Sequence, residues 1–240
     1  MTISFGVVVF PGTWSETDWQ NAIVDVAGSN SSMVFHKQTD LSGFDCIVIP
    51  GGFSFGDYLR PGAIAQLSPV MQSVKKHADN GGLVIGSCNG FQILCEAGLL
   101  PGTLIRNDHL KFKCKEQFLK VEKSSPPFTS TFNTNEVISI PISHGDGNYY
   151  VSDSELEQLL DNKQILLRYC DYEGEISKDS NPNGSVANIA GVTNLRGNVF
   201  GLMPHPERVV EPQLGGVDGL RMIQSIINSV AITPSSDRVV

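Results

Sequence analysis

The chain has 240 residues, a length that suits one domain with a single large core. Its composition, 40% hydrophobic and 18% charged, is that of a folded globular protein and excludes a chain that is disordered over most of its length. A formal net charge of −8 argues against nucleic acid or an anionic membrane as the main partner.

Neither export nor metal binding is indicated by the sequence. The first residues carry no basic leader, and no stretch reaches the roughly 18 apolar residues of a membrane span. The five cysteines are odd in number and form no CxxC pair, which argues against a disulfide framework and a zinc site. We therefore expect a cytoplasmic protein without a bound metal.

The first hundred residues alternate apolar runs with helical patterns. A capping-box pattern at Thr13 and Glu16 precedes an amphipathic stretch that includes Trp19, and Ser68-Pro69 opens a second helical pattern. Because strands and helices alternate, we predict a parallel sheet with helices on both faces. The apolar runs that predict its strands cover residues 3–10, 33–36, 46–50 and 83–87.

The second half has another pattern. Between 109 and 141 the residues alternate without a good helix, which predicts a few antiparallel or mixed strands that extend the sheet. Strands at 165–169 and 199–203 and a helix near 217–230 follow. No long linker divides the chain, so we predict one α/β domain over 1–232 and a flexible polar tail at 233–240.

Cys88 lies at the joint between the fourth predicted strand and a helix. Reactive groups gather at the carboxyl ends of parallel strands, and Gly86-Ser-Cys-Asn-Gly90 has the spacing of G-x-S-x-G with sulfur in place of oxygen. The following helix favours a thiolate at its N-terminus. A free cysteine is usually a small buried hydrophobe, but here we interpret Cys88 as a nucleophile. The other four thiols, Cys46, Cys95, Cys114 and Cys170, have no such context.

A cysteine nucleophile generally needs a histidine base and a third group that orients the ring. His205 follows the apolar run at 199–203, and Glu207 comes two residues later across a stiff proline. This spacing predicts that Glu207 binds one ring nitrogen and leaves the other for Cys88. His144, in a glycine-rich loop, is the second candidate. His36, His77 and His109 have ordinary structural or solvated contexts.

These residues predict acyl transfer through a thioester on Cys88, with His205 as base and then as acid. Two backbone donors are needed for the oxyanion. The N–H of Asn89 is one candidate. The pair Gly51-Gly52, just past the third predicted strand, leaves an N–H without side-chain obstruction and supplies the other.

Four segments, in order over most of the chain, resemble class I (triad-type) glutamine amidotransferases. They are PGGFSFGDYLRPGA at 50–63, GSCNGFQ at 86–92, SHGDG at 143–147 and MPHPER at 203–208. The resemblance implies a flavodoxin-like α/β/α fold with three layers, in which glutamine is cleaved to glutamate and ammonia.

The resemblance also implies a role for each matching residue. Cys88, His205 and Glu207 form the triad, and Gly52 and Asn89 supply the oxyanion amides. Residues expected to bind the substrate are Gly51, Gln92, Ser143, His144 and Gly145. From the residues alone the case for Gln92 is weaker, because a polar side chain one turn into the helix can simply face solvent.

Within this family, FPGT at 10–13, GGFSFGDYLR and GSCNGFQ resemble the glutaminases of purine biosynthesis. These pass ammonia to an ATP-dependent synthetase that converts formylglycinamide ribonucleotide to formylglycinamidine ribonucleotide. This chain has no Walker A pattern, so we expect no cofactor on it. ATP and magnesium are expected on a large synthetase subunit, with a small bridging subunit as a further partner. One departure is Trp14-Ser15, where the family commonly has Asn followed by Cys or Ser.

Three alternatives stay open. A glutaminase for vitamin B6, histidine or nucleotide synthesis would share the triad. A related cysteine hydrolase or chaperone would share the turn, but such proteins usually have a histidine directly after the cysteine, where this chain has Asn89. A binding or regulatory module with a degenerate site is the third.

Overall fold

A computed structural model describes residues 2–125 and 127–232, which form thirteen strands and five α-helices. The strands are β1 (Ser4–Val9), β2 (Asn30–Phe35), β3 (Cys46–Ile49), β4 (Leu83–Ser87), β5 (Thr103–Ile105), β6 (Lys113–Lys115), β7 (Phe118–Val121), β8 (Val137–Ser139), β9 (Ile142–His144), β10 (Asn148–Tyr150), β11 (Ile165–Tyr169), β12 (Ile189–Thr193) and β13 (Val199–Leu202). The helices are α1 (Glu16–Asn21), extended by a π-helical turn (Ala22–Val26), α2 (Pro69–Asp79), α3 (Asn89–Glu96), α4 (Asp153–Asp161) and α5 (Asp218–Ile232).

Nine strands form one central sheet in the order β2-β1-β3-β4-β13-β12-β11-β7-β8. The first five are parallel, and the pairs from β13 to β8 are antiparallel. The remaining strands form two small ribbons, β10 with β5 and β6 with β9. The predicted α/β fold with a mainly parallel sheet and mixed extensions is therefore confirmed.

Helices cover both faces of the sheet. Side chains alternate along a strand, so neighbouring residues of one strand pack into different cores. Val7 of β1 packs in the core that contains Trp19 of α1 and Ile223 of α5. Its neighbour Val8 packs in the other core, with Val74 of α2. These two apolar layers on either side of the sheet give the three-layer architecture that the family resemblance implied.

Several local predictions need correction. The capping box at Thr13 and Glu16 is wrong: α1 begins after Ser15, which makes no capping bond, and the Thr13 hydroxyl accepts from the Phe10 N–H at 2.9 Å. A capping box does occur at Ser152 and starts α4, a helix that the prediction omitted along with β12. The predicted tail at 233–240 lies outside the described residues.

Three adjacent parallel strands position the predicted site. In the sheet β3, β4 and β13 are neighbours, and they end at residues 49, 87 and 202. Parallel strands bring their carboxyl ends to one edge, so the residues that follow them meet there. None of the helices in the described ranges has the length and apolar character needed to cross a membrane.

Candidate active site

Cys88 occupies a strained turn between β4 and α3. Its φ and ψ angles are 51° and −108°, a left-handed region that residues with a side chain rarely adopt. Packing explains why glycine occupies the positions on either side of this turn, Gly86 and Gly90. A Cβ at Gly86 would lie 2.6 Å from Leu94 Cδ1, and one at Gly90 would overlap the Ile49 carbonyl oxygen. The turn thus needs glycine on both sides to bring Cys88 to the end of its strand.

His205 and Glu207 form a buried pair just beyond β13. His205 Nδ1 lies 2.6 Å from Glu207 Oε1, and the two residues are 2% and 3% exposed. The ring's second nitrogen, Nε2, has no hydrogen-bond partner among the described residues. The carboxylate accepts from Nδ1–H, which leaves Nε2 available to an incoming proton.

The His205 ring lies beside the Cys88 turn. A Cβ placed on Gly51 would be 2.7 Å from His205 Cε1 and 3.3 Å from Cys88 Cβ, so Gly51 fills the narrow gap between them. The Cys88 thiol itself donates to the Ser143 carbonyl oxygen, with sulfur and oxygen 3.5 Å apart.

The charge state of His205 follows from its two neighbours. Burial alone would lower its pKa, but the Glu207 carboxylate and the charge of Cys88 together raise the pKa of His205 to about 10. A histidine with this pKa carries a proton on both ring nitrogens near neutral pH, so it has a proton to give to a leaving group beside Cys88.

Two backbone amides near Cys88 have no acceptor. Neither the N–H of Gly52 nor that of Asn89 donates to another group in the described part of the chain. Gly52 has φ +147°, and a Cβ there would lie 2.6 Å from the Trp14 nitrogen, so the site excludes any side chain. The amide of Asn89 is free because it belongs to the first turn of α3.

His144 is held in a neutral state by two asparagines. Asn107 Oδ1, which accepts from the Gly147 N–H, lies 3.2 Å from Nδ1, so Nδ1 carries the proton. Asn183 Nδ2, which donates to the Gly147 carbonyl, lies 3.5 Å from Nε2, which is therefore an acceptor. Burial and the nearby His205 charge lower the pKa of His144 to about 3. Both nitrogens of His144 are engaged, unlike those of His205.

Gln92 does not face solvent. It is 5% exposed, its Oε1 accepts from Asn89 Nδ2 at 2.9 Å, and its Nε2 donates to the Asp146 carbonyl at 2.6 Å. The side chain thus bridges α3 and the loop after β9. The solvent-facing interpretation is wrong.

A cavity of about 330 Å³ opens over these residues. Of the predicted site residues it is lined by Gly52, Cys88, Gln92, Ser143, His144, Gly145 and His205. Gly51, which we predicted to bind substrate, does not line it, and its N–H is already engaged by Ser15 Oγ at 2.9 Å. Asn89 and Glu207 do not line it either; both are buried, and they hydrogen-bond the lining residues Gln92 and His205.

Several cavity residues had not been predicted. Asp57 is one: burial raises its pKa to about 6, and its side chain accepts from Asn89 Nδ2 at 3.2 Å. Trp14 is another; it is 70% exposed and packs edge-on against Phe53, with ring centroids 6.0 Å apart. The departure at Trp14 therefore lies in the lining of the cavity. Phe53 and Asp57 lie within the segment that carried the resemblance, which was a usable signal for both.

Comparison with known proteins agrees with this geometry. A model of the CobB/CobQ-like glutamine amidotransferase domain matches residues 4–215. Phosphoribosylformylglycinamidine synthase subunit PurQ of Moorella thermoacetica is 52% identical over 226 residues, which cover 94% of this chain and 96% of that protein. PurQ of Salinibacter ruber is 51% identical over 232 residues, covering 97% and 99%.

Among solved structures, a chain of PurLQS from Thermotoga maritima has a TM-score of 0.85 at 43% identity, covering 96% of this chain and all of that one. A second protein of Thermotoga maritima, described as a glutamine amidotransferase, has a TM-score of 0.57 at 13% identity, over 99% and 89% of the two chains, a likeness of fold alone. These matches run along almost the whole chain. The chain therefore belongs to the glutamine amidotransferases, in the family of phosphoribosylformylglycinamidine synthase subunit PurQ.

Proposed function

We propose that this chain is the glutaminase subunit of a phosphoribosylformylglycinamidine synthase. It would hydrolyse glutamine to glutamate and ammonia, and the ammonia would pass to a synthetase partner. The observation that carries the proposal is the arrangement at one sheet edge: a strained cysteine turn, a buried histidine–carboxylate pair and two backbone amides without acceptors.

In the first half-reaction, the Cys88 thiolate attacks the side-chain amide carbon of glutamine. The oxyanion that forms accepts hydrogen bonds from the amides of Gly52 and Asn89. When the tetrahedral intermediate collapses, the C–N bond breaks, and His205 gives its proton to the departing nitrogen as ammonia leaves. A γ-glutamyl thioester on Cys88 remains.

In the second half-reaction, water attacks the thioester while His205 accepts its proton. The C–S bond breaks, glutamate leaves, and the proton on His205 and the thiolate of Cys88 are restored. Glu207 keeps the ring oriented and stabilises its charge in both halves. The lining residues Gln92, Ser143, His144 and Gly145 would hold the rest of the substrate.

The purine assignment rests on the named relatives. Two of them are each about half identical to this chain and carry the name of the synthase subunit, and the solved PurLQS structure contains a chain with the same fold. We therefore assign ATP and magnesium to a large synthetase partner and expect a small third subunit beside it. We place the reaction in the cytoplasm, as the cysteine usage predicts.

The proposal is tested by glutamate release from glutamine with wild type and Cys88→Ala, each alone and with the synthetase subunits, formylglycinamide ribonucleotide and ATP. Release that depends on Cys88 is the expected result. Mass spectrometry of rapidly quenched wild type should also show one γ-glutamyl group on the peptide that contains Cys88. Glutamate release by folded Cys88→Ala at the wild-type rate would refute the nucleophile assignment.

A further inference from the structure

The side chain of Asn89 connects the two halves of the proposed oxyanion site. Asn89 is fully buried, and its Oδ1 accepts from the Ser54 N–H at 3.0 Å. Its Nδ2 donates to Gln92 Oε1 at 2.9 Å and to Asp57 Oδ1 at 3.2 Å. The orientation of the amide follows from these partners, because a backbone N–H needs an acceptor and the two oxygens need a donor.

The segment that Asn89 holds is strained. Between Gly52 and Leu59 three residues with side chains have positive φ, namely 55° at Phe55, 53° at Asp57 and 70° at Leu59. Such conformations cost about 1–3 kcal/mol each and persist only where contacts impose them. The Phe53 and Phe55 amides donate to the carbonyls of residues 12 and 11, while the Ser54 amide between them donates to Asn89. On the side of the nucleophile turn, Asn89 is the anchor.

This anchor has a direct geometric consequence. The two proposed oxyanion donors are the backbone N–H groups of Asn89 and Gly52. Ser54, which the Asn89 side chain holds, is two residues from Gly52. One residue therefore supplies one donor and fixes the segment that carries the other. Gln92 extends the chain of hydrogen bonds to Asp146, which also lines the cavity.

We propose that Asn89 is a positioning residue whose side chain sets the distance between the two oxyanion amides. This inference rests on the proposed glutaminase activity. Without the side chain, the strained segment relaxes, Gly52 moves away from Asn89, and one of two donors is lost from the transition state. Removal of one such donor lowers kcat by about 10²–10³.

The test compares Asn89→Ala, Asn89→Asp and the double variant Asn89→Asp with Asp57→Asn, each in the full chain with the synthetase subunits. We expect kcat for glutamine hydrolysis to fall about 100-fold in both single variants. In the double variant, donor and acceptor are exchanged between positions 89 and 57, and we expect at least a tenfold recovery of kcat over Asn89→Asp.

Alkylation of Cys88 by iodoacetamide separates positioning from general damage. In this reaction the thiolate displaces iodide from a saturated carbon and no oxyanion forms. Asn89→Ala should therefore be alkylated within about threefold of the wild-type rate. Any of three results would overturn the inference. They are a kcat of Asn89→Ala within threefold of wild type, a loss of alkylation rate in Asn89→Ala as large as its loss of kcat, and no recovery of kcat in the double variant. If wild type itself shows no Cys88-dependent glutaminase activity, the proposed function fails instead.

Discussion

The buried pair of His205 and Glu207 gives the sharpest quantitative prediction. Substitution Glu207→Gln keeps the shape of the side chain but removes its charge. Oε1 at present accepts from His205 Nδ1 at 2.6 Å, while Oε2 has no partner among the described residues. A glutamine with its oxygen toward Nδ1 would leave its NH₂ group buried without an acceptor. The opposite orientation, in which the NH₂ group donates to Nδ1, is therefore favoured.

That orientation reverses the tautomer of the ring. With Nδ1 accepting, the proton lies on Nε2, and His205 can no longer take a proton from the thiol of Cys88. The change from carboxylate to amide in a comparable triad lowers kcat by about 10⁴, and we expect a fall of about 10³–10⁴ here. This corresponds to about 4–5.5 kcal/mol of transition-state stabilisation.

The charge of His205 should change in the same variant. Glu207 and Cys88 raise the pKa of His205 against the effect of burial, so removal of the carboxylate lets burial lower it again. An imidazole that stays neutral no longer supports the thiolate. We expect rapid iodoacetamide alkylation at neutral pH in wild type, whereas in Glu207→Gln the rate should rise only at higher pH.

Two assays check this prediction: kcat for glutamine hydrolysis in the assembled complex, and alkylation of Cys88 between pH 5 and 10. Glu207→Asp is the matched control, because it keeps the charge and is expected to retain more activity than Glu207→Gln. A Glu207→Gln variant with kcat within threefold of wild type and an unchanged alkylation profile would show that Glu207 neither orients nor charges the ring.

Three further predictions concern stability. Gly90→Ala should lower the free energy of unfolding by about 3 kcal/mol, since its Cβ overlaps the Ile49 carbonyl oxygen; an unchanged urea midpoint would contradict this. The buried Trp19 indole N–H donates to Ser87 Oγ at 3.0 Å, so Ser87→Ala leaves it without this acceptor and should lower the free energy of unfolding by about 1–3 kcal/mol. If the losses of Ser87→Ala and Trp19→Phe simply add in the double variant, the two side chains are not energetically coupled and the prediction is wrong. Burial raises the folded pKa of Asp57 to about 6 from 3.8, so its ionisation begins to cost stability as pH rises past about 4, and the full cost is reached above about pH 6. Asp57→Asn should therefore add about 1 kcal/mol of stability at pH 7 after allowance for solvent screening, and far less at pH 4. An equal gain at both pH values would exclude the ionisation as the cause.

The nucleophile and its base could be predicted because the signals are local. The apolar run before Gly86 fixes the end of β4, and the glycine spacing marks the sharp turn that places Cys88. In the same way, the run that forms β13 ends just before His205, and the two-residue spacing brings Glu207 to the ring. Patterns within a few residues were sufficient for these features.

Other features depend on contacts between distant segments. Helical periodicity left Gln92 without an assigned partner, but the loop at 143–147 folds over it and buries it. The neutral tautomer of His144 depends on Asn107 and Asn183, which lie 37 and 39 residues away along the chain. Such pairings follow from the complete fold. By contrast, Ser152 and its capping box were legible in the sequence, so the omission of α4 was avoidable.

The central claim is that Cys88 supplies a synthetase with ammonia drawn from glutamine. The most direct measurement is formation of formylglycinamidine ribonucleotide from formylglycinamide ribonucleotide and ATP, by the assembled subunits with wild-type chain or Cys88→Ala. Each complex is given either glutamine or ammonium as the nitrogen source. The account predicts that Cys88→Ala abolishes synthesis from glutamine but leaves synthesis from ammonium intact. Equal synthesis from glutamine with both chains would contradict it.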